Sequence, residues 1–296
     1  MNVTNSTHKP CVMGIINVTS DSFHAASRVE DIDVLRQRVR QILDEGGAYI
    51  DVGACSTRPG APSISEAQEM AHLQWALPII HAEQDAWLQE HAGECRRPVS
   101  VDTFRAAVAE ECVTHLGADI INDISGGTIE PEILDVVART GVPYILMHMR
   151  GTPETMQQQT DYPDGVAQEV CRFFEQQIAQ LDQAVERAGA AQRPKVILDP
   201  GFGFAKTVDQ NYELMSQLGT IIERFAGYEM LVGISRKSMI QRVLSVDAAH
   251  ALNGTTVLNA YALLQGATIL RVHDVREAVE ATRLCAKLAS PTSYNS

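Results

Sequence analysis

The chain has no long apolar run, and this absence sets the first limits on its class. No stretch of the 296 residues approaches the ~18–20 continuous apolar residues that a membrane helix needs. Its first ten residues are polar and lack the apolar core of a secretion signal, so we expect a cytoplasmic protein with no membrane partner. Apolar residues still make up 45% of the chain, which is enough for a substantial core.

Basic residues are scarce relative to acidic ones. The chain has 24 Lys and Arg against 37 Asp and Glu, which gives a net charge of −13. A protein of this charge repels nucleic acids and acidic membranes, so we expect neither as a partner. An anionic substrate would need a local basic cluster, because the overall field does not attract it.

Several common catalytic and metal-binding motifs are also missing. The six cysteines form no C-x-x-C pair, and the chain contains neither H-E-x-x-H nor G-x-S-x-G. These absences argue against the usual zinc sites and against the nucleophile elbow of hydrolases. We expect reduced thiols that pack as small apolar groups.

Eight short apolar runs recur along the chain, and a polar loop and a helical pattern follow each run. The runs span residues 11–18, 49–54, 98–103, 119–125, 143–149, 195–201, 230–235 and 268–273. Nearly continuous apolar runs are typical of strands that are buried on both faces. Examples of the helical patterns cover residues 31–45, 165–188 and 275–288. This alternation predicts parallel strands joined by helical crossovers.

Eight such units predict a closed (β/α)₈ TIM barrel, an α/β fold of one domain. The domain would span residues 1–296, with the barrel itself at about 11–288. The alternative is an open doubly wound sheet, which is expected to place a glycine-rich turn after its first strand. The first run ends in Asn17, Val18 and Thr19, without such a turn, and this favours the barrel.

Polar side chains recur at the carboxyl end of every run, which is the end that carries the active site in a barrel. Any one of them could simply satisfy backbone groups at a strand end. Together they include charges inside otherwise apolar runs, and buried charge is costly unless it is paired or used by a ligand. We therefore expect a ligand site at this end of the barrel.

The residue types at this end suit a flat heterocycle and an anion. Asp102, Asn122 and Asp199 offer carboxylate and amide groups that can meet the N–H donors and acceptors of a ring. Arg271 and His273 lie two residues apart, so they share one face of their strand and suit a phosphate. A solvated basic pair is the plainer explanation of Arg236 and Lys237 taken alone.

The ordered motifs resemble the dihydropteroate synthase family from about Cys11 to Leu288. They read MGIINVTSDSF, DVGACSTRPGA, SVDTFR, INDISGG, MHMRGTP, DPGFGFAKT, GISRKSMI and RVHDV. The resemblance implies a transferase of folate biosynthesis. It would join 6-hydroxymethyl-7,8-dihydropterin pyrophosphate to p-aminobenzoate and release 7,8-dihydropteroate and pyrophosphate. It also implies Mg²⁺, a homodimer and an active site where sulfonamides compete.

The same resemblance implies roles for individual residues. The catalytic residues would be Asp102, Lys237, Arg271 and His273. The pterin would contact Asp102, Asn122, Met147, Asp199, Phe204 and Lys237. The pyrophosphate would contact Asn17, Thr57, Arg58, Arg271 and His273, and Asn17 would also bind the metal. The p-aminobenzoate would contact Phe23, Thr57, Arg58, Pro59, Ser235 and Lys237.

The chain departs from the family pattern in its first two loops. Ser20 replaces a usual proline, Ala25 a usual acidic residue, and Ala54 with Cys55 a usual Gly-Glu pair. Two other functions therefore stay open. One is a methyltetrahydrofolate-dependent methyltransferase on the same barrel, which does not need the Ser-Arg-Lys and Arg-x-His segments. The other is a non-catalytic relative that binds pterin, for which the altered first loop is the support.

Overall fold

A computed structural model describes residues 9–18, 28–55 and 64–289, and in them eight parallel strands close into a barrel. Each strand pairs with the next along the chain, and the eighth pairs with the first. They are β1 (Cys11–Asn17), β2 (Tyr49–Gly53), β3 (Val99–Asp102), β4 (Ile120–Asp123), β5 (Tyr144–Met147), β6 (Val196–Asp199), β7 (Glu229–Val232) and β8 (Ile269–Val272). The predicted (β/α)₈ barrel is confirmed, and the open sheet is excluded.

Within the described residues ten α-helices surround the barrel, because two crossovers contain two α-helices each. They are α1 (Arg28–Asp44), α2 (Glu66–Glu90), α3 (Ala106–Thr114), α4 (Glu132–Thr140), α5 (Val166–Ala188), α6 (Val208–Ser216), α7 (Leu218–Arg224), α8 (Ser238–Leu244), α9 (Leu252–Gln265) and α10 (Val275–Ala289). The expectation of one helix per crossover is therefore too simple after β6 and β7. None of these helices is long and apolar enough to cross a membrane.

The strands stop earlier than most of the apolar runs that predicted them. β6 ends at Asp199 because Pro200 has no N–H for the ladder. The apolar runs continue into the loops because those loops also pack inward. Met149, for example, follows β5 and is only 2% exposed.

The barrel interior changes from apolar to polar along the strands. Six buried side chains form the apolar layer, namely Met13, Ile120, Ile145, Ile197, Leu231 and Ile269. Residues two positions further along each strand point to the same side. On β4, β6 and β8 these residues are Asn122, Asp199 and Arg271. The polar side chains therefore stand directly above an apolar floor, at the carboxyl end of the barrel.

Candidate active site

Arg271 of β8 joins two buried carboxylates across the barrel. Its Nε donates to Oδ2 of Asp51 over 2.7 Å, and its Nη2 donates to Oδ2 of Asp102 over 2.7 Å. Asn122 Nδ2 also donates to Asp51, at 3.3 and 3.4 Å from its two oxygens. We call these four side chains the Arg271 network. They come from four strands, so only the closed barrel brings them together.

The charges in the Arg271 network do not balance. Burial raises the pKa of Asp102 to about 7. Arg271 opposes this shift, while the negative charges of Asp51, Glu69 and Asp123 add to it. One guanidinium serves two carboxyl groups, and removing such groups from water disfavours their charged forms. Asp102 therefore changes its protonation near neutral pH.

Asp199 lies at the end of β6 and has different partners. Its Oδ1 accepts the backbone N–H of Gly201 over 2.8 Å. Burial raises the pKa of Asp199, whereas Lys237 and this N–H lower it. Lys237 donates from Nζ to the carbonyl of Phe202 over 2.6 Å, and Nζ lies 4.6 Å from the centre of the Phe204 ring. Burial lowers the pKa of Lys237 to about 8, against the attraction of Asp199.

A glycine keeps the space between Asp199 and the Arg271 network open. A Cβ atom at Gly233 would lie 3.8 Å from Oδ2 of Asp199 and 3.9 Å from Cβ of Arg271. A larger side chain here would fill the middle of the barrel mouth. Met147 and Phe204, 3% and 9% exposed, belong to one buried apolar cluster at this end. The mouth thus combines apolar surface with acidic, amide and cationic groups, as sites for flat heterocycles do.

His273 and Ser235 are in direct contact at the rim. Ser235 Oγ accepts the backbone N–H of His273 over 3.1 Å and lies 3.0 Å from its Nδ1. Arg38 of α1 fixes the same region from outside. It donates to the carbonyl of His273 over 2.6 Å and to that of Ile15 over 3.2 Å. The ends of β1 and β8 are therefore tied together beside the mouth.

Asn17 ends β1 and is exposed, and it lines a cavity of about 380 Å³ together with Arg38 and His273. Among the described residues no group of three or more His, Cys, Asp or Glu side chains could bind a metal ion. Asp31 lines the same cavity, and its buried Oδ2 finds no hydrogen-bond partner within residues 9–18, 28–55 and 64–289. Mg²⁺ keeps several waters and often binds through substrate phosphates. The side-chain oxygens of Asn17 and Asp31 therefore fit an ion that arrives with a pyrophosphate.

Most of the predicted site residues meet at one end of the barrel. Asp102, Asn122, Met147, Asp199, Phe204, Lys237 and Arg271 surround the mouth, and Asn17, Ser235 and His273 lie on its rim. Four further predicted residues, Phe23, Thr57, Arg58 and Pro59, lie outside the described residues.

Two residues of the mouth were not assigned a role from sequence. Asp51 was visible as a charge inside an apolar run, but nothing in the run indicated its contact with Arg271. Gly233 has no side chain whose chemistry could indicate a role. Strand alternation could have found both residues, since each faces inward two positions from another inward-facing residue.

A barrel whose mouth gathers such groups is the setting of the pterin-binding enzymes. The family model described as pterin binding enzyme matches residues 13–273 of this chain. The chain belongs to that family.

Within the family its relatives include dihydropteroate synthases. The Escherichia coli enzyme is 41% identical over 93% of this chain and 90% of its own length. The Synechocystis enzyme is 42% identical over 89% of this chain and 85% of its own. A Yersinia pestis dihydropteroate synthase in complex with a sulfonamide drug superimposes with a TM-score of 0.80. The two chains are 36% identical, and the match covers 98% of this chain and 99% of the Yersinia pestis chain.

A second solved structure carries a different ligand. It is the Xanthomonas albilineans dihydropteroate synthase with 4-aminobenzoic acid, and its TM-score is 0.80. The two chains are 31% identical, over 95% of this chain and 94% of the other. The match extends over nearly the whole length of both chains, so it includes the barrel and its mouth.

Proposed function

We propose that the chain condenses 6-hydroxymethyl-7,8-dihydropterin pyrophosphate with p-aminobenzoate, as a dihydropteroate synthase of folate biosynthesis. The observation that carries the proposal is the barrel mouth, where Asp199 lies beside Gly233 and the Arg271 network brings in Asp102 and Asn122. The likeness to dihydropteroate synthases along the whole chain supports it. Residues 1–296 would form one pterin-binding domain.

The pterin would enter the mouth and meet its polar edges there. Carboxylates of Asp102 and Asp199 accept the N–H donors of such a ring, and the amide of Asn122 both donates and accepts. Lys237 donates to a ring oxygen or nitrogen. Met147 and Phe204 supply apolar surface against the faces of the ring.

The pyrophosphate would leave toward the rim, where Arg271, His273 and Asn17 lie. Thr57 and Arg58 would complete this anion site from the second loop. Asn17 would contribute one oxygen to a Mg²⁺ ion bound to the pyrophosphate. The ion would offset negative charge on the leaving group. Local cations are needed here because the net charge of the chain is −13.

The p-aminobenzoate would approach from the outer loops. Ser235 and Lys237 are the described members of this site, and Phe23, Thr57, Arg58 and Pro59 are its other members. An aromatic amine is a weak nucleophile, so the C–O bond to pyrophosphate would break early. The amine then attacks the exocyclic CH₂ and releases its proton to water or to pyrophosphate.

The carboxylates would stabilise the positive charge that forms on the pterin when this bond breaks. Asp102 and Asp199 are fixed near the ring before the reaction, so little reorganisation is needed. Arg271 would lie between the positive charge that forms on the pterin and the negative charge of the leaving pyrophosphate. It holds Asp102 by a 2.7 Å bond and lies on the same strand face as His273.

We propose a homodimer that covers an exposed apolar stripe on α9 and α10. Val257, Tyr261 and Leu264 follow one another at helical spacing on α9 and are 59%, 39% and 46% exposed. Leu284 and Leu288 on α10 are 68% and 69% exposed. The helices pack against each other. Exposed apolar side chains on two neighbouring helices support this interface. The free thiols of all six cysteines support a cytoplasmic location.

The two alternative functions find less support. The Ser-Arg-Lys and Arg-x-His segments, which a methyltransferase does not need, both lie at the mouth. A non-catalytic pterin-binding protein would keep Asp102, Asn122 and Asp199 but would not need a rim of cations. We therefore favour the synthase.

The test is a Mg²⁺-dependent assay with the purified chain, pterin pyrophosphate and p-aminobenzoate, repeated with a sulfonamide and without metal. We expect dihydropteroate, with inhibition by the sulfonamide that p-aminobenzoate relieves. Arg271→Ala should slow turnover, because it removes a cation from the anion site and the partner of Asp102. Pterin binding without product would support the non-catalytic alternative, and a corrinoid-dependent methyl transfer would support the methyltransferase.

A further inference from the structure

A buried lysine lies beneath the turn that follows β6. Lys206 is only 3% exposed, and its Nζ donates to the carbonyls of Gly201 over 2.9 Å and of Phe204 over 3.1 Å. A third contact joins Nζ to Nδ1 of His148 over 2.9 Å. Burial lowers the pKa of Lys206 well below its ordinary value, and the negative charge of Asp199 opposes this shift. In its ammonium form the side chain has three N–H donors, so these contacts use all of them. Lys206 is therefore committed to the protein and has no donor left for a substrate.

The turn above Lys206 has a backbone that is difficult to form. Gly201, Gly203 and Ala205 have φ angles of 69°, 82° and 50°, in the left-handed region. Ala205 is strained there because it carries a Cβ atom. A Cβ at Gly201 would lie 2.0 Å from the carbonyl oxygen of His148. A turn with three such residues in five positions needs contacts from outside to stay in one conformation.

Two side chains from neighbouring elements hold the middle of the same turn. Asn211 Oδ1 accepts the N–H of Gly203 over 2.6 Å, and Lys237 Nζ donates to the carbonyl of Phe202 over 2.6 Å. Lys206 holds both ends of the turn, at Gly201 and Phe204. These contacts reinforce the backbone hydrogen bond that Phe204 N–H donates to the carbonyl of Gly201 over 3.2 Å.

The turn carries two groups of the proposed pterin site. The N–H of Gly201 donates to Oδ1 of Asp199, and the Phe204 ring lies beside Lys237 Nζ. If the ends of the turn separate, Asp199 loses a hydrogen bond and Phe204 moves away from the mouth. Lys206 also acts through charge. Together with Lys237 and Arg271 it lowers the pKa of Asp199, against burial, which raises it.

We propose that Lys206 is a positioning residue that locks the turn from Gly201 to Phe204 in its pterin-binding conformation. The inference rests on the proposed function, because it assumes that Asp199 and Phe204 contact the pterin. Removing the Lys206 side chain should weaken binding of the pterin. It should spare recognition of p-aminobenzoate, which approaches from the other loops.

The test compares Lys206→Met with the wild-type chain and with a control, Lys195→Met. Methionine keeps the length of the stem and removes the three donors. Lys195 lies just before the amino end of β6, where it pairs with Glu229. Calorimetry would measure the affinity for pterin pyrophosphate, and steady-state kinetics would measure KM for p-aminobenzoate. We expect a loss of roughly 10- to 100-fold in pterin affinity for Lys206→Met, the effect of losing charged hydrogen bonds. We expect no comparable loss for Lys195→Met.

A further measurement separates positioning from general damage. Ala205→Gly relieves the strained residue, so adding it to Lys206→Met should recover part of the pterin affinity. If Lys206→Met does not fold, Lys206→Gln, which keeps two donors, gives the comparison.

The outcomes distinguish this inference from the proposed function. Equal pterin affinity in the wild type and in the folded Lys206 variants would overturn the role of Lys206. A parallel rise in KM for p-aminobenzoate, without recovery by Ala205→Gly, would also overturn it, because it indicates a general loss of structure. A wild-type chain that binds no pterin would instead overturn the proposed function.

Discussion

The two layers of the barrel interior are only two residues apart along the strands, and yet they behave differently. The lower layer, with Ile120, Ile197 and Ile269, is apolar and buried. The upper layer, with Asn122, Asp199 and Arg271, carries polar groups that are also mostly buried. The comparison teaches that the lower layer stabilises the barrel and the upper layer holds charges that need either each other or a ligand. The predictions below test this division, ordered by their expected effect on the use of pterin.

The largest effect is expected from Asp199→Ala in the upper layer. This change removes a carboxylate next to the space beside Gly233 and leaves Lys237 buried without its nearest carboxylate. We expect kcat/KM for pterin pyrophosphate to fall by ~10²–10³, as for other lost electrostatic contacts to a transition state. Calorimetry with the pterin alone should show no binding. Full turnover in this variant would remove the basis of the proposed site.

A smaller effect is expected from Asp51→Asn. Arg271 would lose one of its two carboxylate partners, and kcat/KM should fall roughly 10- to 100-fold, the range for a charged hydrogen bond. Asp51 also raises the pKa of Asp102, so the acid limb of the pH profile should move to lower pH. Asp119→Asn is the matched control, because Asp119 accepts the N–H of Val99 near the opposite end of the barrel. An unchanged acid limb in Asp51→Asn would contradict the network.

The wild-type chain should show a narrow pH range for pterin use. Asp102 must be ionised to accept N–H groups, and its pKa is about 7, so activity is lost as the pH falls through 7. Lys237 must be charged to donate, and its pKa is about 8, so activity is lost as the pH rises past 8. A plot of kcat/KM against pH reports groups of the free enzyme and should be bell-shaped. A flat profile from pH 6 to 9 would show that neither group matters.

The smallest effect on pterin use is expected from Ile197→Ala in the lower layer. Ile197 is 1% exposed and lies two residues before Asp199 on β6. Truncating it should lower the free energy of unfolding by about 2–5 kcal/mol, measured by urea denaturation. The KM values for both substrates should stay nearly the same at a temperature where the variant is folded. If KM for the pterin rises as much as in Asp199→Ala, the two layers are not separate in function.

Particular residues show how far sequence could reach into this site. Asp102, Asn122, Asp199 and Arg271 were recognised because polar residues interrupt apolar runs at regular places. The contact between Arg271 and Asp51 joins residues 220 positions apart, and no local pattern encodes such a pairing. Nothing in the sequence around Lys206 indicates a role, which follows from its burial against three acceptors.

The sequence by itself determined the eight alternating units, the parallel sheet and the end of the barrel that carries the polar residues. These features follow from local hydrophobic patterns and from the short connections between consecutive strands and helices. Only the tertiary structure decided which inward-facing groups touch, which of them change their pKa and where the mouth stays open. Barrel closure places β8 next to β1, and burial then makes each charge depend on neighbours that are distant in the chain.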